Sequence, residues 1–134
     1  MYTALDVETV DRELARSLAR AGMPPASARP RTLATIRVRL TRVLDLTDRA
    51  MMQRLGVTRE EILAEDPALP RAIGDAAHRL GYEAVLAPSA TGSGRVLAVF
   101  LDNLAPGSGV EVEAIAEGYR PSTQEPPVQG TAGI

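Results

Sequence analysis

The side chains of Glu13 and Ser89 combine reactive chemistry with positions from which site residues often act. Glu13 lies in the middle of a predicted helix, beside its apolar stripe, where a carboxylate can reach into a cleft. Ser89 follows Pro88 at the end of a predicted buried strand, and strand ends commonly carry site residues. Taken singly, each residue also has a simpler interpretation. Glu13 can be an exposed residue near Arg16, and Ser89 can be a turn residue.

Four further residues could take part in a site, and each has an ordinary structural explanation as well. Tyr2 is one of three tyrosines and could be a packed or frayed terminal residue. Arg37 and Arg39 form a basic strip on the open face of a predicted strand, which is typical of a solvated face. His78 is the sole histidine, and we interpret it as a surface residue of a helix rather than a general base.

The composition argues against several classes of site. The chain has no Cys and one His, so it has no thiolate, no disulfide and no histidine-rich metal cluster. Aromatic residues make up 3% and the net charge is -2, which argues against nucleic-acid stacking platforms and against attraction to DNA or anionic membranes. P-loop, GxGxxG, HExxH and GxSxG motifs do not occur. The glycine-rich residues 91–94 are interpreted as a flexible turn. We therefore expect no metal, no membrane partner and no direct nucleic-acid partner.

The length of 134 residues indicates one domain, and helical patterns predict several helices within it. Asp6 can cap a helix that runs to about Ala21. A short helix follows Thr47 or Asp48, and residues 58–61 form a capping box. A longer helix is predicted from residue 66 to residue 80. Its predicted buried side consists of Leu69, Ile73, Ala76, Ala77 and Leu80.

Alternating and apolar patterns place strands between these helices, which predicts an α+β fold with a small mixed or antiparallel sheet. A proline-rich loop is expected at residues 23–31. It is followed by a strand with one solvent-exposed face at 32–40 and a short extended continuation at 43–46. Two strands at 83–87 and 95–100 form a hairpin-like pair, although parallel pairing stays open. A last strand is possible at 110–115, and residues 117–134 are predicted to be a disordered tail after a domain at 1–116. Neither a signal peptide nor a membrane-spanning run is visible, so we expect the cytoplasm.

Several short segments, in order along the chain, resemble those of the RES domain family. The first is the opening YTALD at residues 2–6, with Glu13 eleven residues after Tyr2. Residues 39–48 (RLTRVLDLTD) are similar to the family's central strand and its exit. Residues 81–90 (GYEAVLAPSA) resemble the segment that holds the family Ser, and residues 94–100 match the strand after it. The resemblance spans about residues 2–104, and the ordered set is more specific than any one motif.

This resemblance implies an ADP-ribosyltransferase-like fold and a toxin that consumes NAD by breaking the bond between nicotinamide and ribose. Glu13 would stabilise the oxocarbenium-like sugar, by the logic that operates in glycosidases. Tyr2 would stack on nicotinamide, and Ser89 would hydrogen-bond the ribose or the attacking phosphate. Phosphate as acceptor would make the reaction a phosphorolysis and a protein acceptor would make it ADP-ribosylation. The sequence does not decide between them.

The family Arg precedes the Tyr-Thr-Ala motif, and the sequence begins with Met1 just before that motif. We therefore expect an N-terminally truncated version of the fold, in which Arg37 or Arg39 binds the NAD phosphates in place of that Arg. The family's usual partner is an Xre-type antitoxin, and an open sheet edge could also favour homo-oligomers. Two alternatives stay open: an inactive RES fragment that keeps only an antitoxin-binding or scaffold role, and an unrelated small α+β scaffold.

Overall fold

Within residues 1–24 and 29–120, which the computed structural model describes, six strands and four α-helices follow one another along the chain. They confirm the predicted α+β fold. The elements in order are β1 (Tyr2–Ala4), α1 (Val7–Arg20), β2 (Arg31–Arg39), β3 (Val43–Asp45), α2 (Arg49–Leu55), α3 (Arg59–Ile62), α4 (Ala68–Arg79), β4 (Ala84–Pro88), β5 (Arg95–Val99) and β6 (Gly109–Tyr119), with a 3₁₀ turn at Leu101–Asn103.

The helix boundaries follow from local capping chemistry. The Asp6 side chain accepts a hydrogen bond from the Thr9 amide at 2.7 Å and starts α1 at the predicted place. Thr58 and Glu61 form the predicted capping box at the start of α3. The prediction for the buried side of α4 is wrong at Leu80. This residue follows the last helical residue and is 66% exposed, whereas Ala77 is buried.

The strands form two sheets. In the first, the order is β1-β5-β4-β3, with β3 parallel to β4 and the other pairs antiparallel. The predicted hairpin of β4 and β5 is therefore confirmed as antiparallel. The second sheet is a two-stranded antiparallel ribbon of β2 and β6, hereafter the ribbon. Strand β6 continues to Tyr119, into the segment predicted as a tail. Residues 25–28 of the predicted loop and residues 121–134 lie outside the described residues.

The hydrophobic core lies on both faces of the four-stranded sheet, because side chains of a strand point alternately to opposite faces. Val85 of β4 packs with residues from α3, α4 and the end of β3. Ala84, in the same strand, packs with Leu97 and Val99 on the other face, against the base of the ribbon. Farther along, the ribbon is largely exposed, with Ile115 62% accessible. None of the helices in the described part of the chain is long and apolar enough to cross a membrane.

A buried carboxylate, Glu83, joins three segments at the end of the sheet. Its Oε1 atom accepts hydrogen bonds from the Thr41 amide at 2.6 Å, the Thr41 hydroxyl at 2.9 Å and the Arg42 amide at 2.9 Å. Its Oε2 atom accepts one from the Ala105 amide at 2.8 Å. The nearby Ser108 hydroxyl and these backbone amides favour the charged form and hold the pKa of Glu83 far below its ordinary value near 4.5. The sequence pattern predicts only a strand at Glu83 and gives no sign of these hydrogen bonds.

We expect Glu83→Gln to lower the melting temperature by roughly 10 °C at neutral pH, because an amide group cannot accept all these hydrogen bonds as a carboxylate does. Since the folded pKa lies below the unfolded one, the stabilisation by Glu83 is complete above about pH 4.5 and is lost as the pH falls towards the folded pKa. The stability of the wild type should thus decline more steeply below pH 4.5 than that of the variant. Urea unfolding at several pH values measures both slopes. The exposed Glu60→Gln is the control, and parallel slopes for wild type and Glu83→Gln would contradict the assignment.

Candidate active site

Helix α1 carries Glu13 to the centre of the candidate site. Thr9 and Glu13 are four residues apart and share the inward face of the helix. Thr9 is fully buried, and Glu13 is half-buried. Glu13 makes no salt bridge among the residues that the structure describes, where the recorded pairs are Arg37–Glu113 and His78–Asp102. Its charge is therefore free to act on a ligand.

Ser89 lies directly after β4 and faces Glu13 across the site. Its hydroxyl donates a hydrogen bond to Oε2 of Glu13 at 2.6 Å. The side chain is fully buried, so this hydroxyl is held by protein groups rather than open to solvent. Two residues predicted from distant parts of the sequence thus meet through one short, charge-assisted hydrogen bond.

Thr91 is a functional candidate that the sequence does not reveal, because its surroundings predict only a flexible turn. Its hydroxyl lies 2.7 Å from the Ser89 hydroxyl, and its amide donates to the same oxygen at 3.2 Å. The Thr91 hydroxyl also contacts the Ser93 carbonyl oxygen at 3.2 Å. Thr91 therefore contacts the same Ser89 hydroxyl that donates to Glu13, and the turn at residues 90–94 is an organised part of the site.

Helix α1 also holds this turn in place. Arg12 donates from Nη2 to the Ser93 carbonyl oxygen at 3.3 Å and to the Thr9 hydroxyl at 3.2 Å. Gly94 has a φ of +85° and lies so close to Thr9 that there is no room for a Cβ atom. At the start of the turn, the Ser89 amide donates to the Gly94 carbonyl oxygen at 2.9 Å. The close approach of Gly94 to α1 therefore fixes the position of Ser89.

Tyr2 adds a phenol from the edge strand β1. The pKa of its hydroxyl is raised, first because part of the side chain is shielded from water and second because the Glu13 carboxylate lies nearby, with Arg16 opposing the change. The phenol is therefore protonated at neutral pH and can donate a hydrogen bond towards Glu13. Tyr2 as a whole residue is 64% exposed, so it is accessible to a ligand.

Two cavities adjoin this cluster. The first has a volume of about 490 Å³ and lies between β1, α1 and β2, with Glu13 in its wall. The Tyr119 hydroxyl donates to Asp11 and ties the far end of the ribbon to α1 beside this cavity. The second has a volume of about 300 Å³ and lies between α1, the sheet and α4, with Arg16 and Arg20 in its wall. Tyr2 lines both cavities, so it stands at their junction.

The structure does not bring Arg37 or Arg39, the other two predicted ligand-binding residues, to this cluster. Arg37 lies on the ribbon and donates from Nη2 to Glu113 at 2.5 Å. Arg39 is exposed at the base of the ribbon, and neither arginine lines either cavity. His78 pairs with Asp102 at 2.7 Å at the C-terminal end of α4, away from the residues that line these cavities.

This arrangement can stabilise a positive charge that develops on a bound ligand. The Glu13 carboxylate is held by Ser89 and has no salt-bridge partner within residues 1–24 and 29–120, so it presents a negative charge to the first cavity. Tyr2 supplies an aromatic surface and a hydroxyl donor beside it. Among the described residues, no group of three or more His, Asp or Glu side chains is placed to hold a metal ion.

Comparisons with known proteins identify the family and a similar fold. A family model described as RES domain matches residues 1–122. Among solved structures, a chain of the M. tuberculosis MbcT-MbcA toxin-antitoxin complex matches with a TM-score of 0.72 and 26% sequence identity. The match covers 87% of this chain and 64% of that chain, so the chain spans less than two thirds of the matched chain's length. The comparison with curated proteins gave no match.

Proposed function

Because the chain belongs to the RES domain family, we propose that it is a toxin that degrades NAD by breaking the bond between nicotinamide and ribose. One observation carries the proposal: the Ser89 hydroxyl holds the Glu13 carboxylate at 2.6 Å, in the wall of a cavity that Tyr2 also lines. These are the three residues for which the family resemblance implies a role. The proposed compartment is the cytoplasm, where NAD would be accessible.

The chemistry requires a group that stabilises a cationic sugar. When the bond between the ribose C1′ and the nicotinamide nitrogen breaks, the bonding electrons leave with nicotinamide, which becomes neutral. The ribose then carries oxocarbenium-like positive charge, and the Glu13 carboxylate stabilises it electrostatically. An oxygen of the acceptor attacks C1′ and completes the transfer. Tyr2 provides a surface for the nicotinamide ring and shields the reacting centre from water.

We assign Ser89 a positioning role, because its hydroxyl is buried against Glu13 and Thr91 rather than exposed in a cavity. Ser89→Ala should lower kcat for NAD cleavage by tenfold to a hundredfold, on the order expected when a catalytic group is misplaced, with little change in KM. Steady-state rates of nicotinamide release give both constants. Ser93→Ala is the matched control in the same turn, because only the backbone carbonyl of Ser93 contacts the site. A raised KM with unchanged kcat would instead indicate that Ser89 contacts the substrate.

We further propose that the partner is an antitoxin protein of the Xre type. The matched solved structure is of a toxin-antitoxin complex, and this chain resembles one of its chains over 87% of its own length. Co-expression with an Xre-type antitoxin, followed by co-purification, tests the partnership, and failure of the folded chain to bind it would count against the proposal. Stable binding without NAD turnover would instead favour the alternative of an inactive RES fragment.

The experiment for the reaction itself is product analysis. The purified chain is incubated with NAD, with and without inorganic phosphate, and the products are identified by proton and phosphorus NMR. We expect free nicotinamide together with a phosphorylated ADP-ribose when phosphate is present. Nicotinamide release that is independent of phosphate would indicate water or a protein as acceptor. NAD that stays intact with a folded protein would reject the proposed activity.

A further inference from the structure

The second cavity holds two cations that have no anionic partner in the described residues. Arg16 and Arg20 line it from α1, and both are absent from the ion pairs of residues 1–24 and 29–120. They are four residues apart, so their side chains lie on the same face of the helix. Glu65 is the one carboxylate among the residues that line this cavity, and most of its other lining groups are apolar. Two guanidinium groups over an apolar floor are suited to bind a phosphate-bearing ligand.

The first cavity has the opposite charge. Its lining includes the carboxylates of Asp6 and Glu13 and contains no Arg or His. Glu13 and Arg16 are one helical turn apart, which separates their backbone positions by roughly 4.5 Å along the helix axis. Tyr2 lines both cavities and its hydroxyl responds to both charges, which raise and lower its pKa respectively. The two cavities are thus oppositely charged and both reach Tyr2 on the edge strand β1, the first against Leu97 on one face of the sheet and the second against Val96 and Ala98 on the other.

We propose that Arg16 and Arg20 bind phosphate oxygens in the second cavity, next to Tyr2. The inference rests on the proposed function, because NAD has the matching charge pattern. Its nicotinamide ring is cationic and suits the cavity with Glu13, whereas its diphosphate is anionic and suits the cavity with the two arginines. The phosphate belongs either to this diphosphate or to inorganic phosphate that acts as the acceptor. In both cases Arg16, which is half-buried next to Tyr2, makes the larger contribution.

Binding measurements without turnover test this subsite. Calorimetric titrations use three probes: ADP-ribose, which carries the diphosphate; inorganic phosphate; and nicotinamide riboside, which carries no phosphate. We expect Arg16→Gln to lower the affinity for a phosphate-bearing probe by about tenfold or more, and Arg20→Gln to lower the affinity for the same probe less. Nicotinamide riboside should bind both variants as it binds the wild type. Arg49→Gln, an exposed arginine of α2 outside both cavities, is the control for the general effect of one positive charge.

The probes separate the two phosphate sources and the two hypotheses. Weakened ADP-ribose binding assigns the arginines to the diphosphate, and weakened binding of inorganic phosphate alone assigns them to the acceptor. Unchanged affinity of Arg16→Gln for both probes overturns the subsite, as does a wild type that binds neither. If the wild type leaves NAD intact but binds ADP-ribose through Arg16, the subsite stands and the proposed NAD cleavage fails.

Discussion

Replacing Glu13 by Gln is expected to slow nicotinamide release from NAD by roughly a thousandfold, the effect of removing one strong electrostatic contact from a transition state. The amide keeps the size of the side chain, and its oxygen can still accept the hydrogen bond from Ser89. It lacks the negative charge that stabilises the cationic ribose. The variant should therefore fold like the wild type and differ mainly in kcat. Initial rates of nicotinamide release, measured beside thermal unfolding, separate these two properties.

Glu8→Gln is the matched control for this prediction. Glu8 lies in the first turn of the same helix, is exposed and lines neither cavity. Its replacement changes the net charge by the same amount and should leave the rate within about twofold of the wild type, since exposed charges far from a site act weakly. A Glu13→Gln variant that retains the wild-type rate would remove Glu13 from the mechanism.

Replacing Gly94 by Ala is expected to disrupt the site through its framework. A Cβ atom on Gly94 would overlap the Thr9 hydroxyl and would lie 3.0 Å from both the Thr9 Cβ atom and Nη2 of Arg12. Because Thr9 is fully buried in α1, the overlap can be relieved only if the turn moves away from the helix. That movement would separate Ser89 from Glu13. We expect a loss of about 3 kcal/mol or more in unfolding free energy and a loss of most of the activity.

Gly92→Ala isolates the effect of this overlap. Gly92 has a similar backbone angle, with φ of +91° against +85° at Gly94, but no atom lies within 4 Å of its ideal Cβ position. Its replacement should therefore lower the unfolding free energy only through backbone strain, by about 1–2 kcal/mol. Thr9→Ala in the Gly94→Ala background should recover part of the loss, which a double-mutant cycle measures. Equal costs at Gly92 and Gly94 would show that the contact with Thr9 has no energetic role.

Much of the framework of the site was predictable from the sequence, because local chemistry determines it. Asp6 and the apolar spacing after it defined α1, and with it the position of Glu13 on the border of the buried face. The apolar residues before Pro88 defined the strand that ends at Ser89. That these two residues meet was not readable from composition or periodicity. It was implied only by the ordered resemblance to the RES domain family.

The features that were missed depend on contacts between distant residues. The sequence pattern places the charged Glu83 in a strand. Its burial is explained only by the hydrogen bonds that the Thr41 and Ala105 amides, from other segments, donate to it. Thr91 looks like an ordinary turn residue until Ser89 is placed beside it. Alternation along β2 correctly indicated a strand but could not indicate that it leaves the main sheet for a ribbon. Although β2 lines the first cavity, Arg37 and Arg39 themselves lie outside both cavities, whereas Arg16 and Arg20, given no role at first, lie in the second.

The most direct test of the account is the number of nicotinamide molecules that each folded wild-type chain releases from NAD in phosphate buffer. Proton NMR resolves free nicotinamide from NAD, and a melting curve of the same sample shows that the protein is folded. If Glu13 stabilises the cationic ribose, release continues linearly through many turnovers and largely disappears in Glu13→Gln. A folded wild-type chain that releases no more nicotinamide than a protein-free solution would contradict it.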